Sequence, residues 1–263
     1  MTARMPRSGW VWLLLGAAYF VIPLAATAEF SLEEGDGYGF GPYGEIFRDP
    51  AFKETLLRSF WLALATVVVS LLLFIPSVYW LHLRVPRVRP VVELLSVLPF
   101  VVPPIVLIVG LLYIYKASWV PSWFLENPRY LVPAYVVLSF PFMFRALDTA
   151  YRAIDVHTLT EAAQSLGAPW RTTLLRIILP NISTGALAGA FLTFALVMGE
   201  FTMANVALFY TFPVYINYVG QTQANPAAAL TIISFGITWL AVLGLLMVGR
   251  RPGRGAVQVG GAR

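Results

Sequence analysis

Long apolar stretches dominate the pattern of hydrophobic and polar positions along this chain. Each stretch lacks a regular polar face and runs for about 20 residues, the length that crosses the hydrocarbon of a bilayer as a helix. The predicted spans cover about residues 9–28, 59–83, 91–115, 131–147, 182–204 and 227–248. This pattern indicates an all-α membrane protein with six transmembrane helices, which form a single transmembrane domain over residues 1–263.

The composition agrees with a membrane location. Hydrophobic residues make up 59% of the chain and charged residues only 12%, about half the charge of an average soluble domain. The segments between the spans are too short for a separate soluble catalytic domain. The formal net charge of +5 does not predict nucleic-acid binding, because the position of charges matters more than their sum in a membrane protein.

Lysine and arginine residues lie mostly on one side of the predicted spans. Since positively charged loops stay in the cytoplasm, and an even number of spans places both termini on one side, we expect both termini to be cytoplasmic. The chain would then be a multi-pass protein of a prokaryotic inner (plasma) membrane. The arginines on the predicted cytoplasmic side, 13 of the 18 basic residues, are Arg4, Arg7, Arg84, Arg87, Arg89, Arg145, Arg152, Arg171, Arg176, Arg250, Arg251, Arg254 and Arg263.

The first span has two interpretations. Arg4 and Arg7, an apolar run and then Ala26-Thr27-Ala28 are typical of a secretory signal peptide with a small-residue cleavage site. The apolar run from Trp10 to Ala28 is longer than the usual signal core, so we expect a retained helix. Cleavage would leave the sidedness of every later loop unchanged.

Few side chains in this sequence are suited to catalysis or metal binding. The chain has no cysteine, which excludes disulfides, thiolate metal sites and cysteine nucleophiles. His82 and His157 are its two histidines, and we assign neither a chemical role. Neither lysine follows the glycine that a phosphate-binding P-loop requires. An intramembrane enzyme is therefore a weak alternative.

Prolines interrupt several predicted spans, the third most of all. Pro99, Pro103 and Pro104 fall within that span, and each removes a backbone donor and bends its helix. Prolines are also simply more common in membrane helices, which would account for one or two of them. The alternative interpretation is a break near the middle of the helix that forms a hinge or part of a pathway.

The predicted cytoplasmic loop over residues 148–180 contains two short helices. Thr158 and Glu161 have the spacing of a capping box, which begins a helix. Gly167 can adopt the left-handed conformation that ends it, and Pro169 suits the first turn of a second helix. We expect Pro180 to end that second helix at the membrane surface. An amphipathic helix lying on lipid and a helix that docks in another protein both fit this pattern.

Seven positions within 20 residues of this loop resemble a known family. Their order and spacing are similar to the EAA loop of permease subunits in type I binding-protein-dependent ABC importers, most like the spermidine/putrescine-type permeases. The resemblance extends from about Leu56 to Val248, including the proline-rich third span. The matching positions, which the resemblance identifies as ATPase-coupling residues, are Glu161, Ala162, Ala163, Gly167, Ile177, Leu179 and Pro180.

The resemblance implies a type I ABC importer permease fold and a mechanism. The short helix of the loop would dock in a cleft of a cytoplasmic ABC ATPase subunit, present in two copies, and carry its motion into the membrane helices. The partner ATPase would bind ATP and Mg, and this chain would hold no cofactor and hydrolyse nothing. A second permease subunit, giving a heterodimer, an extracytoplasmic substrate-binding protein and membrane lipid would be the other partners, with no nucleic acid.

Glu200 is the ionisable residue most deeply placed in the predicted spans, and such a group is a functional candidate. We take Glu200, Asn205 and Pro103 as candidates for the substrate pathway. The acidic first outer loop and the resemblance favour a polyamine-like substrate. An oxyanion, ferric iron, thiamine or phosphonate importer of the same architecture is the first alternative. A secondary transporter is the second, although such proteins usually show internal repeats, and none is evident.

Overall fold

The computed structural model describes residues 7–35, 37–116, 121 and 126–249. Its regular secondary structure is helical except for a small antiparallel hairpin of β1 (Glu33–Glu34) and β2 (Gly37–Tyr38). Single 3₁₀ turns lie at Pro86–Val88 and Pro128–Tyr130. The helices are α1 (Arg7–Phe30), α2 (Gly41–Arg48), α3 (Pro50–Leu83), α4 (Arg89–Val101), α5 (Pro104–Tyr115), α6 (Leu131–Arg152), α7 (Val156–Ser165), α8 (Trp170–Met198), α9 (Thr202–Val206), α10 (Phe212–Gly220) and α11 (Ala224–Gly249).

Within the described residues, five helices are long and apolar enough to cross a membrane: α1, α3, α6, α8 and α11. The second of them begins at Pro50, well before the predicted start at residue 59. Asp49 caps its first turn, because one carboxylate oxygen accepts a hydrogen bond from the Ala51 amide at 2.9 Å, and a proline suits the first helical position. α3 therefore extends beyond the apolar segment that hydropathy detects.

The third predicted span is broken into α4 and α5. The two halves are bent by 99° at the break, and together they qualify as one further membrane-crossing segment. Val102 and Pro103 both precede a proline and both have extended backbone conformations, since the ring of a following proline disfavours the helical conformation. The break predicted from the prolines is thus present at Val102 and Pro103.

The core of the bundle lies between α3, α6 and α8. Two glycines of α8 allow the closest approach to α6. A Cβ atom on Gly185 would lie 2.4 Å from Cβ of Ala150, and one on Gly189 would lie 2.7 Å from Sδ of Met143. Small residues bring membrane helices together in this way. α1 lies at the edge of the bundle, where it packs against α11 and none of its membrane-length segment is buried.

The predicted loop over residues 148–180 is shorter in the structure. α6 continues to Arg152, and α8 begins at Trp170 and runs on to Met198. The prediction that Pro180 ends a helix is wrong. A π turn at Thr173–Ile178 precedes the proline, with the Leu179 amide donating to Leu174 O, and this wider turn makes room for the ring. The side-chain amide of Asn181 also donates to Ile177 O at 2.7 Å.

The fifth predicted span also ends early. It was expected to reach residue 204, but α8 ends at Met198, with Gly199 as its C-cap. The chain resumes helical structure only in the short α9. The bundle therefore contains a second break, at Gly199–Phe201, in addition to the one between α4 and α5. Arg4, Arg250, Arg251, Arg254 and Arg263, on which the predicted orientation partly depends, lie outside the described residues.

Candidate functional site

Asp155 begins helix α7. Its carboxylate accepts hydrogen bonds from the Thr158 amide at 3.1 Å and from the Thr158 hydroxyl at 2.7 Å. The predicted capping box, with Thr158 as the cap and Glu161 as its partner, is therefore wrong: Asp155 is the stronger acceptor, and Thr158 is its donor. The same two hydrogen bonds lower the pKa of Asp155, so the cap stays charged and intact at neutral pH.

One face of α7 packs against the bundle and the other is free. Val156, Thr160 and Ala163 are buried, at the spacing of one side of a helix. The Thr160 hydroxyl lies 3.2 Å from that of Tyr79 in α3. The opposite side exposes Glu161, Ala162, Gln164, Ser165 and Leu166. The side chain of Leu166 is 90% exposed, which is unusual for a leucine beside a folded bundle and leaves an apolar tip on this helix.

Gly167 turns the chain back toward the membrane helices. It has a φ of 78°, the left-handed conformation that the sequence predicts. Its amide donates to Gln164 O at 2.8 Å, and the Ala168 amide donates to Ala163 O at 3.0 Å, so the carbonyls at the end of α7 are satisfied. No atom lies within 4 Å of the place a Cβ would occupy. Glycine is therefore required here by backbone conformation rather than by space.

The remaining motif residues lie within α8. Ile177 lies in the π turn, and Leu179 and Pro180 follow it directly. Leu174 and Ile178 are buried in a core cluster that includes Tyr79 and Leu147, and Leu179 packs against that cluster. The structure thus places Glu161, Ala162 and Ala163 on α7 and Gly167 in the turn directly after it. The other three motif residues lie near the start of α8, which packs against α7.

Glu200 lies at the second break and is 8% exposed. Its Oε1 accepts from the Met203 amide at 2.9 Å and its Oε2 from the Ala204 amide at 3.4 Å. The Tyr135 side chain also hydrogen-bonds the carboxylate. The carboxylate therefore caps the short helix α9, and both of its oxygens are occupied by groups of this chain.

A cavity of about 390 Å³ connects the two breaks. Neither Pro103 nor Asn205 lines it. Pro103 is exposed, and of its two neighbours in sequence only Pro104 lines the cavity. Asn205 is exposed on α9. Of the three pathway candidates, only Glu200 therefore forms part of its wall. Its walls are Pro99, Phe100, Pro104, Leu138, Phe142, Leu196, Gly199, Glu200, Phe201 and Thr202.

Sequence reasoning missed Asp148, a carboxylate that is 6% exposed near the end of α6. It accepts hydrogen bonds from Arg89 Nε at 2.8 Å, Arg89 Nη2 at 3.0 Å and Arg152 Nη2 at 2.8 Å, and His82 Nε2 lies 2.9 Å from its Oδ1. Arg152, four residues after Asp148 on the same helix, was the one available sequence signal.

The described residues hold no group of three His, Asp or Glu side chains arranged for a metal ion.

The chain matches one protein family over most of its length. The profile of binding-protein-dependent transport system inner membrane components matches residues 81–251. The chain belongs to this family. The permease is also 30% identical, over 72% of its own length and 73% of the relative's, to a probable molybdenum ABC transporter permease of Haloferax volcanii.

Two further relatives are named for different substrates. The molybdenum transport system permease of Mycobacterium tuberculosis is 28% identical, with 92% of this chain and 94% of the relative covered. The spermidine/putrescine transport system permease PotB of Escherichia coli is 29% identical, with 60% of this chain and 62% of the relative covered. Permeases named for molybdenum transport and a permease named for spermidine/putrescine transport are therefore both similar to this chain.

Solved structures share the fold of this permease. A bacterial ABC transporter that imports alginate superposes with a TM-score of 0.67 at 17% identity, covering 94% of each chain. The same kind of transporter, in complex with an alginate-bound periplasmic protein, gives a TM-score of 0.64 at 20% identity, with 94% of this chain and 96% of the other covered. These matches confirm the predicted type I importer permease fold.

Membership of the family decides between the classes that the sequence left open. The permease is a multi-pass inner membrane subunit of an ABC importer and is not an enzyme, because a separate ATPase hydrolyses ATP in these systems. Permease subunits of this family carry no cofactor. The secondary-transporter alternative is thereby excluded.

Proposed function

We propose that this permease forms half of the translocation pathway of an ATP-driven importer and that α7 is its coupling helix. α7 would dock in the cleft of a cytoplasmic ATPase subunit, which binds ATP and Mg, with two copies serving the complete transporter. A second permease subunit would complete the pathway as a heterodimer. An extracytoplasmic binding protein would deliver the substrate.

The free face of α7 supports the docking role. This helix is held rigidly from one side by Val156, Thr160 and Ala163, and it is capped at its start by Asp155. Its other side ends in Leu166, which has almost no contact with this chain. A rigid helix with an exposed apolar tip fits insertion into a protein groove, because burying that leucine would stabilise the complex.

The distribution of arginine supports the orientation. Arg84, Arg87, Arg89, Arg152 and Arg171 all lie at the end of the bundle that carries α7. Basic residues are retained in the cytoplasm, so α7 would face the compartment that contains the ATPase. With this orientation both termini are cytoplasmic.

The cavity between the two breaks is the part of the chain best suited to line the pathway. Irregular backbone within a membrane is tolerated where it is packed against protein or lines a cavity. Glu200 would act there as a structural or gating group, since the amides of α9 and the Tyr135 side chain occupy its carboxylate.

For the substrate we propose a small oxyanion of the molybdate class. Glu200 is committed to the capping of α9, which leaves no free intramembrane carboxylate for a cation among the walls of the cavity. Two relatives whose names specify molybdenum align over more of this chain than the polyamine relative does. A polyamine is the second candidate, which the acidic residues Glu33, Glu34 and Glu45 of the outer loop favour.

Affinity purification from native membranes tests the importer assembly, and uptake tests the substrate. We expect a P-loop ATPase, a second permease and a binding protein to copurify with the tagged chain. Leu166→Asp should abolish recovery of the ATPase. Leu208→Asp is a matched control, since this leucine is 91% exposed at the opposite end of the bundle.

Uptake of radiolabelled molybdate and spermidine by the same cells distinguishes the two substrates. We expect ATP-dependent molybdate uptake that excess spermidine leaves unchanged. Spermidine uptake alone would reverse the order of the candidates. Recovery of the chain without any ATPase, in several mild detergents, would contradict the coupling role.

A further inference from the structure

Three helices meet at the carboxylate of Asp148. His82 comes from the end of α3, Arg89 is the first residue of α4, and Asp148 and Arg152 belong to α6. The carboxylate is nearly buried, and most of the His82 and Arg89 side-chain surface is covered as well. Charge-assisted hydrogen bonds of this kind are roughly twice as strong as neutral ones. We call this group the Asp148 cluster.

The cluster adjoins the contact between α7 and the bundle. Tyr79, which contacts Thr160 of α7, lies one turn before His82 on α3. The Tyr151 ring stacks on the His82 ring at 5.6 Å between centroids, and its hydroxyl donates to Ile75 O of α3 at 2.9 Å. Beside the cluster, Tyr79 therefore joins α3 to α7, and Tyr151 joins α6 to α3.

Glu93 of α4 reaches this cluster only through Arg152, at 3.9 Å, whereas Arg89 connects α4 to Asp148 directly by charge. It does so with two parallel hydrogen bonds, from Nε to Oδ1 and from Nη2 to Oδ2, a geometry that fixes orientation as well as distance. The other end of α4 is the break at Val102, where Pro99 and Phe100 form part of the wall of the cavity. A shift of α4 at Arg89 would therefore move this wall.

We infer that Asp148 is a positioning residue that ties α4 to the coupling helix, so that motion of α7 reaches the cavity through Arg89. This inference rests on the proposed coupling role of α7. α4 has no continuous helical connection to α5 across the 99° bend, so it can tilt as a short rigid rod. The Asp148 cluster fixes the position of the Arg89 end of α4.

The two arginines of the cluster provide a matched pair of variants. Each donates to Asp148 at 2.8 Å, but Arg89 joins α4 to Asp148 directly, whereas Arg152 pairs with Asp148 within α6 and reaches α4 only through Glu93 at 3.9 Å. Arg89→Gln should cut the tie to α4 while Asp148 keeps His82 and Arg152. Arg152→Gln should keep that direct tie and, of the contacts with α4, lose only the longer one with Glu93. Glu93→Gln is the outer control, since Glu93 is half-exposed and 3.9 Å from Arg152.

The experiment uses the full chain, reconstituted in proteoliposomes with its copurified ATPase, second permease and binding protein. The readouts are ATPase recovery, ATP hydrolysis and substrate transported per ATP. For Arg89→Gln and Asp148→Asn we expect ATPase recovery and hydrolysis to persist while transport per ATP falls about tenfold, within the roughly 5- to 150-fold range of coupling between sites. Asp148→Glu should restore part of the ratio.

Several results would overturn the inference. One is a wild-type ratio of transport to hydrolysis in Arg89→Gln, and this variant decides the matter even where Asp148→Asn fails to fold. Another is an equal loss of coupling in Arg152→Gln, which would mean that the charge of the cluster matters but the bridge does not. Failure of the wild-type chain to recover any ATPase would instead contradict the proposed function itself.

Discussion

The hydroxyl groups of Tyr79 and Thr160 lie 3.2 Å apart, and both side chains are buried. This hydrogen bond joins a long membrane helix, α3, to the short helix α7. Val156 and Ala163 lie on the same side of α7, one turn before and one turn after Thr160, and they are buried as well. α7 is therefore fixed to the bundle at one specific place on α3, and a force on α7 would be transmitted there.

Replacing Gly167 tests the turn after α7. Gly167→Leu should reduce transport while expression and membrane insertion stay normal, because a left-handed conformation costs a residue with a Cβ about 1–2 kcal/mol. Gly167→Asn should be tolerated better, since asparagine adopts this conformation more readily. The measurement is substrate uptake, normalised to permease in the membrane.

Gly167→Ala controls for the loss of glycine without bulk. The space around the added Cβ is open within this chain. A variant that keeps the turn folded but loses uptake would therefore indicate a clash with the surface of the ATPase. Normal uptake by Gly167→Leu at normal expression would count against the docking role of this loop.

Gly185 tests the packing of α8 on α6. Gly185→Ala should lower the thermal stability of the detergent-solubilised protein, because the added Cβ would overlap Ala150 and approach Ala146 O to 2.8 Å. Overpacking of this kind typically costs about 1–3 kcal/mol. Fluorescence-detected gel filtration after heating measures the change.

Gly110→Ala is the matched control for that experiment. This glycine also lies in a helix, but nothing lies within 4 Å of its missing Cβ. Since alanine favours a helix over glycine by about 1 kcal/mol, the control should be neutral or stabilising. Equal destabilisation of both variants would argue against the close helix contact.

Glu200→Gln tests the second break. Glutamine offers one oxygen acceptor, so one of the hydrogen bonds from the Met203 and Ala204 amides would be lost, at a cost of about 1.5–3 kcal/mol for a bond to a charged group. We expect a lower maximal rate of uptake with little change in apparent affinity, as suits a gating or structural group. A changed affinity would assign substrate contact instead, and unchanged kinetics would remove Glu200 from the pathway.

Single cysteines test the orientation. The chain has no native cysteine, so each introduced thiol is the only one to react. Gln164→Cys on the exposed side of α7 should react only with membrane-permeant maleimides in intact cells. Gln223→Cys, exposed at the other end of the bundle, should react with impermeant reagents too. The opposite result for the pair would invert the proposed topology.

Local patterns predicted much of this structure, and long-range contacts escaped them. The prolines indicated the break in the third span, and Gly167 has the expected left-handed backbone. The prediction that Pro180 ends a helix was wrong because the π turn before it, which has no sequence signature, accommodates the proline. Arg89 was not predicted as a partner of Asp148, because 59 residues separate the two in sequence and only the folded bundle brings them together.

Helix α1 buries none of its membrane-length segment, although it is as apolar as the helices of the core. Its only side-chain tie to α11 among the described hydrogen bonds runs from Asn225 to Phe30 O. The main contacts of α1 are with α11 rather than with α3, α6 or α8, and the family profile begins only at residue 81. Of the five membrane-length helices among the described residues, α1 is therefore the one whose sequence is least constrained by packing within this chain.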